Sequence, residues 1–378
     1  MRLRLMIALL SFLTVIPASA QNKDFYLLVG GMTTGTSSTE GLSVYKFNTT
    51  TGIATLKSKI SGVEDPTYFA ITKDQKYVYS VNEYNGKDGD ISAFTFDKTK
   101  GELHFINKTT STGGSPCYIA VDTTGKWVVA ANYGAGSLVA FQTGSDGSIQ
   151  PAAEVIEHQG YSVHFTRQSK PHVHCTVFTP DGKYVLANDL GTDKVYGYKF
   201  NPSNATQPLS QEDTTLTETP DGSGPRHITF HPNGKYAYLI NELSGKVIVY
   251  EYNNGRLTEV QSIESTTIGD KQDKGSADIH ITPNGQYLYT TNRGSANEIT
   301  CYRVGSTGLL TLINKQSCLG VHPRNFMIDP TGKFLLVANR DSDEIVVFSI
   351  LRSTGFLQPT NNNIKITKPV CLKMMDVK

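Results

Sequence analysis

Residues 180–189 read PDGKYVLAND, and the phrase returns as KDQKYVYSVN (73–82), TTGKWVVAAN (123–132), PNGKYAYLIN (232–241), PNGQYLYTTN (283–292) and PTGKFLLVAN (330–339). The copies close on Asn82, Asn132, Asp189, Asn241, Asn292 and Asn339, in steps of 50, 57, 52, 51 and 47 residues. A unit of that period cannot bury its own faces and is stable only in an array. Around each copy the same parts recur. An apolar run (PTYFAIT, PRHITFH) precedes a tight turn, usually Asp/Asn-Gly, and the phrase is followed by a third strand-like run (DISAFTF, KVYGYKF, KVIVYEY, EIVVFSI) and a Gly-led fourth (GELHFIN, GRLTEVQ, GLLTLIN). Alternating patterning rich in Val, Ile, Tyr and Phe predicts antiparallel strands. Four strands per unit, radially repeated, predict an all-β fold, the β-propeller.

Six blades follow from the phrase. The stretches FYLLVGG, GLSVYKF and GIATLKS near the start supply three more strands without an opening one, while PVCLKMM, Pro369 to Met375, is a spare strand at the end. Pairing Pro369–Met375 with Phe25–Gly30 completes a seventh blade and removes two open sheet edges. The expected organisation is therefore one propeller over residues 21–378.

Residues 1–20 read differently. Arg2 and Arg4 precede the apolar LMIALLSFLTVI, then Pro17 and the small residues Ala18-Ser19-Ala20. This is the layout of a cleaved secretory signal peptide, too short in its core to span a bilayer comfortably. It predicts a periplasmic or secreted protein. No cysteine stands at the cleavage site, so no membrane anchor is expected.

The 35 basic and 34 acidic residues, net +1, argue against a nucleic-acid partner that needs a broad basic field. Cys117, Cys175, Cys301, Cys318 and Cys371 are odd in number and mostly embedded in strand-like runs, which predicts buried small hydrophobes. Export leaves room for one bridge, with Cys301 and Cys318 as candidates. His172, His174 and Cys175 are close in sequence, but alternation sends the two histidines to one face and the cysteine to the other, and no second cluster completes a tetrahedral set. No metal and no cofactor are expected, and the chain lacks a P-loop, a dinucleotide fingerprint and a GxSxG elbow.

Laying the blades in register exposes candidate chemistry. Six residues before the turn position lie Thr67, Cys117, His174, Arg226, Ala277 and Arg324, on the strands expected to line the channel. Just past the recurring Asn lie Glu83, Tyr133, Leu190, Glu242, Arg293 and Arg340. His174, Arg226, Glu242, Arg293 and Arg324 thus form an arc over four consecutive blades. Any one of them alone is more readily a solvated or ion-paired residue. Their convergence at equivalent registers is what favours a functional site. His322 in VHPRNF and His280 in DIHITPNG are expected on channel-side strands, within reach of a ligand.

The stretches KPHVHCTVFTPDGKYVLANDLGTDKVYGY, GPRHITFHPNGKYAYLINELSGKVIVYEY, ITPNGQYLYTTNRG and HPRNFMIDPTGKFLLVANRDSDEIVVF resemble the lactonase family of seven-bladed propellers, with 6-phosphogluconolactonases and 3-carboxy-cis,cis-muconate lactonizing enzymes among its members. The resemblance covers essentially the whole mature chain. It implies that His174, Arg226, Glu242 and Arg293 correspond to the catalytic residues of the muconate branch. Arg324, His322 and His172, from their places around the channel, are the expected substrate-binding residues. The implied reaction is opening of a sugar lactone by water, which needs a base, a donor for the developing oxyanion and an anchor for an anionic group. Glu242 and His174 are the candidate bases, and Arg226 and Arg293 the oxyanion stabiliser and anion clamp. The implied partner is a small-molecule anionic lactone or sugar acid, bound by a monomer. Export is at odds with a cytosolic phosphorylated sugar and points also to unphosphorylated aldonolactones. Muconate-type lactonisation and a non-catalytic binding propeller are the alternatives.

Overall fold

Seven antiparallel sheets follow one another along the chain in the computed structural model, which describes residues 24–36, 40–84, 88–211, 216–267 and 274–377. The signal-peptide reading of residues 1–20 lies outside the described residues. Each sheet is a blade. The innermost strands, ringed around the channel, are Tyr68–Ile71, Pro116–Val121, Val173–Phe178, Pro225–Phe230, Ser276–Ile281, Pro323–Ile328 and Pro369–Asp376. The last of these closes the ring as expected: it pairs with Asp24–Gly31 from Phe25 opposite Asp376 to Gly30 opposite Cys371.

Burial explains the composition of each strand. The recurring phrase forms the second strand, sandwiched between neighbouring blades, so Trp127–Asn132 and Phe334–Asn339 are buried along their whole length. Outermost strands such as Arg256–Glu264 meet solvent and keep only scattered apolar positions. In two blades this strand is broken, into Leu209–Gln211 with Thr217–Glu218 and into Leu357–Pro359 with Ile364–Lys365. In the second case Pro359 and a left-handed Asn361 interrupt the ladder.

The turn before each phrase needs one left-handed residue. Gly125, Gly182, Gly234, Gly285 and Gly332 supply it at φ between 67° and 72°, and Gln75 takes it at 58° in the first copy. All five cysteines are buried free thiols. The Cys301 thiol points at the Gly355 carbonyl and the Cys318 thiol at that of Gly320, so the two candidates for a bridge are not joined. Among the described residues no helix is long and apolar enough to cross a membrane.

Candidate functional site at the channel rim

The first ring of register-equivalent residues is a ring of β-bulges. Pairing skips from Pro116 to Tyr118, from Val173 to Cys175, from Pro225 to His227 and from Pro323 to Asn325. Cys117, His174, Arg226 and Arg324 are the extra residues, and a bulge releases a side chain from the alternation of its strand and re-aims it. With Thr67 they line a recess of about 10 Å³, close to the room one water needs. Thr67 Oγ1 is buried and has no hydrogen-bond partner there among the described residues.

The second ring is fastened to the first by one repeated bond. The N–H groups of Glu83, Tyr133, Leu190, Glu242, Arg293 and Arg340 donate to the carbonyls of Asp65, Ser115, His172, Gly224, Gly275 and His322, each two residues before the first-ring position. One backbone geometry in six blades therefore sets both rings at one rim.

Glu242 is the centre of the arc. Its Oε2 accepts from Arg226 Nε at 3.0 Å and from Arg293 Nη2 at 2.7 Å, and its Oε1 accepts from Arg167 Nη2. Burial raises the Glu242 pKa, but the guanidiniums of Arg293, Arg226 and Arg167 outweigh it and hold the carboxyl well below its usual range. Arg226, the largest of the fully buried side chains, also donates from Nη1 to the Ala277 carbonyl. Burial, then the neighbouring Arg293, lowers its pKa to about 10. Arg293 is braced by the carbonyls of Gly275 (3.0 Å) and Ser276 (3.3 Å).

His174 is 5% exposed, and burial followed by the Arg226 charge holds its pKa well below the usual histidine value, so the ring is neutral. The polar neighbour of its ring is the Cys117 thiol, 3.9 Å from Nδ1. Burial pushes that thiol up, so it is not a thiolate. Arg324 reaches Glu83 at 3.5 Å across the ring.

Two predicted binding residues sit differently from expectation. His172 lies before its strand rather than in it, stacked on Tyr133 with centroids 4.4 Å apart, while Tyr133 also meets His174 edge-on. His322 precedes the strand Pro323–Ile328 in a left-handed conformation, φ 61°, between Arg340 (3.3 Å) and Asp341 (3.3 Å). His280 belongs to a second cluster inside the channel, where Asp278 accepts from His227 at 2.7 Å and His280 at 3.0 Å.

Sequence reasoning missed Arg167, because no blade has an equivalent. It stands in the loop between Ile149–Glu157 and Val173–Phe178, and its one signal was the 57-residue step, the longest of the five. Thr67 and Tyr133 were in the rings but not singled out. A roomier recess, about 700 Å³, is lined by Thr72, Asp74, Tyr77, Lys126 and Gln142. It lies by the turns that start the second strands, the end away from the rim, and gathers no comparable cluster of buried charges.

This architecture has close counterparts. The profile of the family described as "Lactonase, 7-bladed beta-propeller" matches residues 26–374. A 6-phosphogluconolactonase of Formosa agariphila is 37% identical over 338 residues, 88% of this chain and 95% of the relative. Among solved structures, a candidate 6-phosphogluconolactonase of Bacteroides fragilis superposes with a TM-score of 0.89 at 42% identity, covering 95% of this chain and 99% of that one. The periplasmic gluconolactonase of Pseudomonas aeruginosa gives 0.89 at 33% identity, covering 94% and 100%. Seven four-position blades closed by the C-terminal strand, matched in sequence and shape over nearly their full length, make this chain a member of the lactonase family of seven-bladed β-propellers.

Proposed function

We propose that this protein opens a sugar lactone by adding water, with His174 as proton acceptor. The observation that carries the assignment is the contrast between the two candidate bases. Both oxygens of Glu242 are held by guanidiniums, whereas among the described residues the hydrogen-bond contact of the neutral His174 ring is a weak one, from the Cys117 thiol to Nδ1. The water-sized recess beside His174 suits the nucleophile, and Thr67 Oγ1 offers it a hydrogen bond. Water oxygen attacks the lactone carbonyl carbon as its proton passes to His174. The ring C–O bond then breaks and the leaving alkoxide recovers that proton, giving the hydroxy acid.

Charge builds on the carbonyl oxygen in this step, and preorganised donors act there. Arg226 and Arg293 fill that role, because both are fixed by Glu242 and by backbone carbonyls and need no reorganisation. Glu242 stays ionised, orients the two guanidiniums and favours the imidazolium that forms. Arg324, His172 and His322 are the substrate contacts around the rim. The protein works as a monomer on a small molecule. Export follows from the character of residues 1–20 and is supported by the likeness to a periplasmic gluconolactonase. The mature chain then begins at Gln21.

Purified protein tests this directly. Hydrolysis of D-glucono-1,5-lactone or its 6-phosphate, faster than the spontaneous reaction and lost in His174→Ala, is expected. Ring closure of carboxymuconate in place of hydrolysis points to the cycloisomerase branch, and sugar-acid binding without turnover to a binding propeller.

A further inference from the structure

Three guanidiniums share Glu242, and they are not equivalent. The side chains of Arg226 and Arg293 are 1% and 12% exposed, whereas Arg167 is 33% exposed. Arg226 and Arg293 are also tied to backbone carbonyls. The Arg167 guanidinium has no such tie among the described residues, and besides Glu242 its hydrogen-bond partner there is the Tyr133 hydroxyl, at 3.3 Å. Its side chain can leave the carboxylate while the other two keep hold of it.

The loop beneath Arg167 is nonetheless fixed. Ser162 N–H donates to the Gln168 carbonyl and Gln168 N–H to that of His164, Gln168 Nε2 donates to the Leu190 carbonyl, and Ser162 Oγ donates to Asp193. His172 N–H donates to Asp189 Oδ1 at 2.8 Å. A hydrogen-bonded loop therefore presents one partly exposed guanidinium at the mouth of the site.

The local charge favours an anion there. Four guanidiniums, of Arg167, Arg226, Arg293 and Arg324, face the carboxylates of Glu242, Glu83 and Asp278, and Asp278 already serves His227 and His280. A surplus positive charge in a largely buried site is relieved by a ligand that brings a negative one. Tyr133, whose hydroxyl oxygen accepts from Arg167, keeps its own proton to donate to such a ligand.

We propose that Arg167 is the specificity-determining residue of this site: it exchanges Glu242 for a carboxylate or phosphate carried by the lactone and so selects anionic over neutral substrates. The proposal rests on the lactonase reading above. The planar fork of the guanidinium suits both anions. Release of Arg167 also removes one of the positive charges that depress the basicity of Glu242, so binding of the correct substrate strengthens the carboxylate that steadies the His174 imidazolium.

The test compares the parent, Arg167→Gln and Arg167→Lys on three probes: neutral D-glucono-1,5-lactone, its 6-phosphate, and D-glucaro-1,4-lactone with a free carboxylate. The parent is expected to prefer at least one anionic probe in kcat/KM, and which one separates phosphate from carboxylate. Arg167→Gln should reduce that preference about tenfold to a hundredfold, the range of one charge-assisted hydrogen bond, mainly through KM, and Arg167→Lys should restore part of it. Inorganic phosphate should inhibit the parent competitively and the Gln variant at least tenfold more weakly. Equal losses on neutral and anionic probes, or no preference in the parent, overturn the proposal and leave the lactonase reading standing. If the parent opens no lactone, that reading fails instead. Calorimetry with inorganic phosphate then decides for Arg167: binding weakened tenfold in the Gln variant supports it, and unaltered or undetectable binding overturns it.

Discussion

Arg226 and Glu242 meet at 3.0 Å although sixteen residues separate them, because the Glu242 N–H donates to the carbonyl of Gly224, two residues before Arg226. The same backbone bond recurs in five other blades, so it is a property of the repeat and not of this pair. What is particular to the blade that begins with Pro225–Phe230 is the chemistry placed on it. An acid and a base at paired positions on one blade are joined by Arg293 from the next blade and by Arg167 from the loop that leads into Val173–Phe178, so three consecutive blades bring all four together.

Glu242→Gln should therefore leave a folded protein with a damaged site. The amide keeps the shape but loses the charge that orients the guanidiniums and favours the imidazolium, and turnover should fall by roughly 10²–10³, the range of one lost electrostatic stabiliser. Removing one partner of a buried ion pair lowers stability by about 3–5 kcal/mol. Steady-state kinetics and urea unfolding read both effects, and a Gln variant that keeps parental turnover removes Glu242 from the site. His174→Ala should cause a comparable loss of turnover with little loss of stability, because the ring has few polar partners.

The buried histidines set the direction of the pH response. Burial and the adjacent Arg226 hold His174 well below its usual pKa and His227 at about 3, and burial with Arg293 and Arg340 holds His322 at about 3. In the unfolded chain these groups take up protons near pH 6.5. Between the two values the unfolded state binds more protons, so stability falls as pH drops below about 6.5. Glu242 and Asp278, depressed in the fold, add to the decline below their ordinary carboxylate range. The urea midpoint should be level from pH 7 to 8 and fall steadily from pH 6.5 to 4.5. A midpoint unchanged down to pH 5 would show that the histidines are not buried as neutral rings.

Much of this was legible in the sequence because a repeat supplies its own ruler. Counting from the turn found Arg226, His174 and Arg324, and counting past the Asn found Glu242 and Arg293. The bulges were not legible, since the extra residue at His174 or Arg226 looks like any other strand position until its partner strand is known. Arg167 had no register at all: an insertion lies outside the ruler, and its contact with Glu242 depends on how the loop folds across two blades. His322 was misplaced for a similar reason, because its left-handed backbone makes the strand start one residue later, at Pro323.

Loss of the closing strand should be severe. Within Pro369–Asp376, Val370, Cys371, Leu372 and Met375 are at most 2% exposed. Burial of Val, Leu and Met contributes roughly 1.5–3 kcal/mol each as an upper bound, together comparable with the total stability of an ordinary domain, about 5–15 kcal/mol. Deleting residues 369–378 also uncovers the edge of Asp24–Gly31 and the faces of the neighbouring blades. The truncated chain should be poorly soluble, and a monomer that melts with the parent would contradict the closure.

Asp189 is the one recurring position where aspartate replaces asparagine, and the substitution falls in the blade that follows the long insertion. Its Oδ2 meets His158 Nδ1 at 2.8 Å, while Oδ1 accepts from the N–H groups of His172 (2.8 Å) and Gly191 (2.9 Å). Gly191 is itself required, since a Cβ there would lie 1.9 Å from the Lys170 carbonyl of the same loop. One buried carboxylate thus anchors both ends of the segment that carries Arg167. Asp189→Asn keeps an acceptor for the two N–H groups, and a tautomer change at His158 keeps that contact, so it should lower stability by only about 1 kcal/mol. Asp189→Ala leaves three buried donors unpaired and should lower it by about 3 kcal/mol or more. Hydrogen exchange should then speed up across residues 159–172 before the rest of the propeller, and lactone turnover should fall with it. If the Ala variant proves as stable as the Asn variant and its loop exchanges no faster, Asp189 does not anchor the segment, and the fixed position of Arg167 must come from Ser162 and Gln168 alone.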